Sequence, residues 1–221
     1  MAETLAFTDL ATAAYCPRQL YYRHRDDDSG PPDDVAAVRA LAFRYPELLA
    51  PETSLADEPV AVTPTQYRSN LGSAKARLDC WTELVDPADR DVLLEGKDCN
   101  GVAHKLLAEP PRPVVVSPGR PPERGVWEPQ SVRATAAAKA LAWERGRPVE
   151  RAVVEYPAHG VVRRLRLTTA RKAAYRRALR TVRSLDGPPP RLDDDDARCA
   201  ACDYRTECGT RTASLRSRLG L

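Results

Sequence analysis

Four cysteines carry the strongest chemical pattern in this chain. Cys199 and Cys202 are two residues apart, Cys208 follows after a short turn, and Cys16 stands near the other end in Tyr15-Cys16-Pro17-Arg18. Thiolates at that spacing can grip one metal centre, and an all-sulfur donor set suits zinc or an iron-sulfur cluster. Pro17 can open a helix at its first turn and leave the thiol before it pointing outwards, which makes Cys16 the best fourth ligand. Ligation by all four would clip the two ends of the chain together. Closing so long a loop restricts the unfolded chain by at most roughly 5 kcal/mol in the chain-entropy account. Three disulfides are the competing arithmetic for six cysteines. The start of the sequence lacks a signal-peptide pattern, and 221 residues can bury a core without staples, so a metal centre is the expectation. Cys80 and Cys99 are isolated and read as small buried apolar groups.

Such ligands need elements to hold them. Pro17 continues as a helix through Gln19 to Arg23, after a first helix carrying Leu10, Ala13, Ala14 and Tyr15 behind a Thr8-Asp9 cap. The segment 26–34, with Ser29-Gly30-Pro31-Pro32, reads as a loop. Helical spacing returns at Val35, Val38, Leu41, Ala42 and Tyr45, and again at Leu71, Ala74, Leu78, Trp81 and Leu84. From Asp91 the rhythm shortens. A hairpin is expected from Val92-Leu93-Leu94 and Val102 to Leu107, turning through Lys97 to Gly101, followed by a strand at Pro113 to Val116 buried on both faces. An alanine-rich helix follows from about Glu128 to Arg145, then a second hairpin, Arg151 to Tyr156 and Val161 to Leu167, turning at Ala158-His159-Gly160. The last long helix, Thr169 to Leu185, ends before Gly187.

This order predicts an α/β protein, a mixed sheet flanked by helices. It divides into an N-terminal helical region (1–90), an α/β core (91–186) and a cysteine-bearing tail (187–221). The formal charge is only +3, from 34 Lys and Arg against 31 Asp and Glu, so total charge does not mark a nucleic-acid binder. The charge is segregated, however, with arginines from Arg163 to Arg183 and acids at 193–196, and segregation can make a basic face on a nearly neutral protein. Arg164 and Arg166 share one face of a strand, a candidate track for a DNA backbone. Tyr21 and Tyr22 beside Arg18 and Arg23 read either as a base-stacking patch or as a wall around the cysteines. Trp127 and Trp143 read as core or rim packing. No apolar run approaches membrane-spanning length, and a cytoplasmic protein is expected.

Tyr15-Cys16-Pro17-Arg18 with Tyr21-Tyr22, and Cys199-x-x-Cys202-x-Tyr204-x-x-x-Cys208, resemble the iron-sulfur exonucleases of CRISPR loci, in the RecB-like branch of the PD-(D/E)XK nuclease superfamily. The resemblance covers the whole chain in its order of elements. It implies a RecB-like, restriction-endonuclease-type sheet and a [4Fe-4S] cluster on Cys16, Cys199, Cys202 and Cys208, with zinc the alternative metal. It also implies trimming of DNA ends during CRISPR adaptation, alongside adaptation proteins as partners. Hydrolysis in that family uses Mg²⁺ or Mn²⁺ held by an aspartate and by Glu-x-Lys on the next strand, with a histidine on an upstream helix and a glutamine on the following one. The resemblance assigns the aspartate to Asp98, in Gly96-Lys97-Asp98, and the glutamine to Gln130.

The remaining positions depart from the pattern. The strand due to carry Glu-x-Lys reads Val115-Val116-Ser117-Pro118-Gly119, and the segment from Val35 to Tyr45 has no histidine. A lone aspartate is a poor Mg²⁺ site, because that ion takes one or two carboxylates plus substrate oxygens in a strict octahedron. Asp79 with Glu95-Gly96-Lys97 is an alternative register for the same motif. His104 and Lys105 could bring a side chain back towards Asp98 from the second hairpin strand, which makes Lys105 the third catalytic candidate. Two functions remain open on these residues: a metal-dependent DNA exonuclease, and a catalytically inactive DNA- or protein-binding module with a structural cluster.

Overall fold

The computed structural model describes residues 4–26, 33–191, 197–200 and 202–209. The acidic run 193–196 and most of the expected loop 26–34, including Pro31 and Pro32, lie outside them.

Six strands form one mixed sheet: β1 (Leu5–Ala6), β2 (Asp89–Glu95), β3 (Cys99–Leu107), β4 (Arg112–Val116), β5 (Arg151–Tyr156) and β6 (Val161–Arg166). β3 is antiparallel to both β2 and β4, β4 is parallel to β5, and β5 and β6 form a hairpin. The β5–β6 turn is a 3₁₀ turn, Pro157–His159, closed by Gly160 at φ 61°. No side chain fits easily at Gly160, since a Cβ would sit 2.8 Å from the Tyr67 carbonyl oxygen. β2 runs along one edge of β3, from Leu106 back to Asn100. The opposite edge is shared: β1 takes Cys99 and Asn100, while β4 takes Lys105 to Leu107. Between them, residues 101–104 have no strand partner on that side among the described residues, so the sheet is split there.

Helices cover both faces. One face carries α1 (Phe7–Tyr15), α7 (Glu128–Glu144) and α8 (Thr169–Arg183), and its core joins Leu10, Ala103, Val115, Val154 and Leu179. α7 approaches closely because Ala134, Ala136, Ala137, Ala138 and Ala140 are all fully buried; a Cβ on Gly96 would stand 2.9 Å from Ala140 Cα. The other face is covered by a 3₁₀ turn (Leu41–Phe43), α4 (Tyr45–Leu49), α5 (Pro64–Arg77) and α6 (Trp81–Val85), around Tyr45, Leu71, Val114 and Val153. β4 serves both cores, which is why an unbroken Pro-Val-Val-Val run suits it.

α2 (Pro17–Asp26) and α3 (Asp33–Ala40) complete the N-terminal region, and two short helices, α9 (Ala197–Ala200) and α10 (Arg205–Gly209), carry the C-terminal cysteines. The expected α/β architecture, a mixed sheet flanked by helices, is observed. Several boundaries differ. α1 starts at Phe7 rather than behind Thr8-Asp9, directly after the two-residue β1. The periodic stretch from Leu71 to Leu84 is two helices, broken over Leu78 to Cys80, and Val35 to Tyr45 divides into α3, the 3₁₀ turn and the start of α4.

Candidate functional site

Pro17 begins α2 as expected, and Cys16 is the extended residue between α1 and α2. The C-terminal segment packs against this corner through several independent contacts. Tyr22 is buried and stacks on the Tyr204 ring at 5.5 Å, Arg25 forms an ion pair with Glu207, and Arg198 Nη1 donates to the Tyr15 carbonyl at 2.7 Å. Arg18 Nη1 donates to the Pro189 carbonyl at 2.8 Å, and its Nη2 donates to the Tyr22 hydroxyl at 3.4 Å. Tyr22 therefore walls the junction rather than offering a face to a base.

All six cysteines are free thiols, and Cys16, Cys199, Cys202 and Cys208 are each half-buried. Burial pushes the Cys202 thiol up from its ordinary value, and the neighbouring Cys16 and Cys208 thiols push it further. Cys16 and Cys208, from opposite ends of the chain, thus both act electrostatically on Cys202. The Cys202 amide points back at the Cys199 carbonyl, 3.4 Å away, which keeps the fourth thiol on the same turn. Among the described residues no three His, Cys, Asp or Glu side chains are arranged as a ready metal shell. The four thiols belong to segments that pack against each other, and their donor chemistry fits a soft metal centre.

The hydrolytic candidates are dispersed. Asp98, in the β2–β3 turn, accepts from Arg183 Nη2 at 2.8 Å. Lys105 lies at the far end of β3, wholly buried, with Nζ donating to the carbonyls of Ala42 (2.6 Å) and Leu84 (2.9 Å) and to the Glu155 carboxylate (3.0 Å). Tyr45 donates to the same carboxylate at 2.9 Å. Burial pushes Glu155 up and Lys105 down, and each charge opposes the other's shift. Lys105 does not turn back towards Asp98. Gln130 is in the first turn of α7, its Oε1 buried without a hydrogen bond. In the alternative register, Asp79 sits between Arg112 and Arg164, at 3.6 and 3.3 Å. Arg112 is at the Leu107 end of β3, whereas Glu95 pairs with Asn100 at the other end, so Asp79 is not brought to Glu95 and Lys97.

Lys97 and Asp98 instead line a cleft of about 540 Å³ with Lys139, Trp143 and Arg147. Trp143 and Trp127 are both more than half exposed, at the rim rather than in the core. On β6, Arg164 is committed to Asp79 and Arg163 Nη2 donates to the Glu123 carbonyl, which leaves Arg166 on the exposed face of the expected track.

Besides His104, the split in the sheet holds Asp91 and Arg133, which the nuclease motif does not include. His104 is buried where β3 and β4 part, and its Nδ1 accepts from the Val116 amide at 2.9 Å, replacing the strand hydrogen bond. Asp91, at φ 50°, falls between the paired residues Arg90 and Val92, whose partners Lys105 and Ala103 flank His104, and accepts from Arg39 of α3. Arg133, on α7 over the same strands, has its Nε buried without a partner. Burial holds the His104 imidazole down at about 2, with Arg133, Arg39 and Lys105 adding to the effect, and burial pulls Arg133 down to about 10, helped by Arg39. An arginine inside an alanine helix, Val132-Arg133-Ala134, and a carboxylate inside an apolar strand, Val154-Glu155-Tyr156, were the available sequence signals.

No protein-family model matches the chain, and no curated protein does. Among solved structures it is similar to the crystal structure of SSO0001, at 14% identity and a TM-score of 0.44, covering 96% of this chain and 89% of that one. A likeness of that size carries no functional argument.

Proposed function

We propose that this chain is a non-hydrolytic DNA-binding module of the iron-sulfur exonuclease type, built on a RecB-like sheet, with Cys16, Cys199, Cys202 and Cys208 holding one inorganic centre. The observation that carries this reading is the packing of the Cys199–Cys208 segment against the corner that holds Cys16, where Tyr22 stacks on Tyr204 and Arg198 donates to the Tyr15 carbonyl. A [4Fe-4S] cluster bound there would supply a cross-link between the ends and a one-electron centre; zinc would supply the cross-link alone. The chain's own residues pack around that link: Tyr22 and Tyr204 cover it, and Arg18 sets a positive charge beside Cys208. DNA or DNA ends are the substrate class, in the adaptation setting that the resemblance implies. Holding rather than cutting is favoured because Asp98, Gln130 and Lys105 stand apart and Lys105 is spent on Glu155.

The test is anaerobic purification followed by metal analysis and DNA assays. A brown protein with iron and sulfide, binding labelled single-stranded DNA in the presence of Mn²⁺ without cutting it, is the expected result. A colourless protein with stoichiometric zinc rejects iron, and cleavage that disappears in Asp98→Ala restores the enzyme. Binding should weaken steeply with salt, because phosphate neutralisation releases counterions. Salt-insensitive association would point to a protein partner instead.

A further inference from the structure

We infer that the split between β3 and β4 is an oxyanion site for a phosphate group, formed by Arg133, Arg39 and the Nε2–H of His104. The inference deepens the DNA-binding reading and rests on it only for the source of the phosphate.

The chemistry of the three groups is one-sided. Arginine has five N–H donors and no acceptor. His104 uses Nδ1 as an acceptor from Val116, so the neutral ring carries its proton on Nε2 and presents a third donor. Asp91 and His104 are the unpaired residues between the Arg90–Lys105 and Val92–Ala103 pairs, and Asp91 holds Arg39 beside that gap. That carboxylate answers Arg39. Arg133 has no hydrogen-bond or ion-pair partner among the described residues, and its Nε is shut away from solvent. Lys105, the other cation nearby, is already saturated by two carbonyls and Glu155. Arg133 is half-buried with its Nε out of water and no counter-charge, which is costly, and the cost is reduced when an anion supplies the acceptors. The planar fork of a guanidinium matches the oxygens of a phosphate two at a time, which an ammonium cannot do. The groups gathered here therefore favour a phosphate and disfavour a divalent cation.

The full chain is unfolded thermally in a buffer free of phosphate and sulfate, with sodium phosphate added at constant ionic strength against chloride. Phosphate should raise the Tm of the wild type progressively, and Arg133→Met should lose that response, with an apparent phosphate affinity at least roughly tenfold weaker. Arg133→Lys keeps the charge without the fork and should fall between the two. Absence of a phosphate effect beyond chloride in the wild type, or an equal effect in Arg133→Met, overturns the site. Should Arg133→Met fail to fold, broadening of the ³¹P resonance of phosphate by the wild-type protein decides, and an unbroadened line overturns the site. A second arm titrates single-stranded DNA with and without a 5′-phosphate. Phosphate binding that depends on Arg133, without any DNA binding, keeps the site and removes the DNA role. DNA binding of equal strength in wild type and Arg133→Met keeps the DNA role and removes the site.

Discussion

Replacing His104 by asparagine should change how this protein responds to acid. Asn Oδ1 occupies about the position of the imidazole Nδ1, so the variant keeps an acceptor for the Val116 amide and loses only the titrating ring. In the folded chain His104 stays neutral down to about 2, because it is buried, its Nδ1 lone pair is engaged by Val116, and Arg133, Arg39 and Lys105 all face it with positive charge; Asp91, the nearest acid in the register, is bonded to Arg39. An unfolded histidine titrates near 6.5. The folded value is thus the lower one, so below about pH 6.5 the unfolded state binds a proton that the folded state refuses. Stability from this group is complete above the unfolded value and is lost as pH falls towards the folded one.

The size follows from linkage. Each pH unit below 6.5 removes about 1.4 kcal/mol, so at pH 4.5 the penalty is about 2.7 kcal/mol, a large share of a total stability of the usual 5–15 kcal/mol. Urea unfolding of wild type and His104→Asn at pH 7.5, 6.0, 5.0 and 4.5, without phosphate, isolates this contribution, because the other titrating groups are common to both. The variant should be less stable at pH 7.5 by about 1 kcal/mol, for lost packing. The two curves should then converge and cross as the pH falls. Curves that stay parallel would mean that His104 titrates normally, and the argument from its burial and its cationic neighbours would be refuted.

Breaking the buried pair should be severe: Lys105→Met leaves Glu155 buried without its cation and should cost about 3–5 kcal/mol in urea unfolding, whereas the double change Lys105→Met with Glu155→Leu should recover much of it. Gly160→Ala should destabilise by about 1–3 kcal/mol, since it combines a positive φ with a Cβ against the Tyr67 carbonyl, while Gly187→Ala, in open space, should be nearly neutral. Cys202→Ala should lower the metal content of the purified protein and shift its Tm downwards; native-like thermal stability with unchanged metal would remove Cys202 from the centre.

Much of the fold could be read from local runs. Pro113 to Val116 announces a strand covered on both faces, the alanines from Ala134 to Ala140 announce a helix laid close to a sheet, and the second hairpin falls within a residue of its expected ends. β1 was illegible because two residues have no periodicity; Leu5 and Ala6 become a strand only by pairing with Cys99 and Asn100. The cysteine spacing was legible, and the segments that carry Cys16 and Cys199 to Cys208 do pack together. The candidate catalytic residues are dispersed for a physical reason. Motif order puts Asp98, Lys105 and Gln130 on neighbouring elements, but Asp98 and Lys105 lie at opposite ends of β3, and Lys105 meets a carboxylate 50 residues away whose approach depends on the β4–β5 pairing. Arg133 could be noticed in its alanine helix, yet its lack of a partner is a tertiary property.

The proposed anion site bears on the two functions that the sequence left open. Hydrolysis with Mg²⁺ or Mn²⁺ requires carboxylate oxygens that converge on one point and a cation free to meet the phosphate. Glu155 is wholly buried and shared between Lys105 and Tyr45, so freeing it for a metal would abandon a buried ammonium, at a cost of several kcal/mol. Asp91 and Asp98 are each held by an arginine, and the groups that remain in the split are donors. A site of that kind repels a divalent cation and attracts an anion. Millimolar Mg²⁺ or Mn²⁺ should therefore leave the Tm where it is, at the ionic strength where phosphate raises it. A rise with Mn²⁺ that survives Arg133→Met but is lost in Asp98→Ala would reverse the assignment and return the chain to the hydrolases.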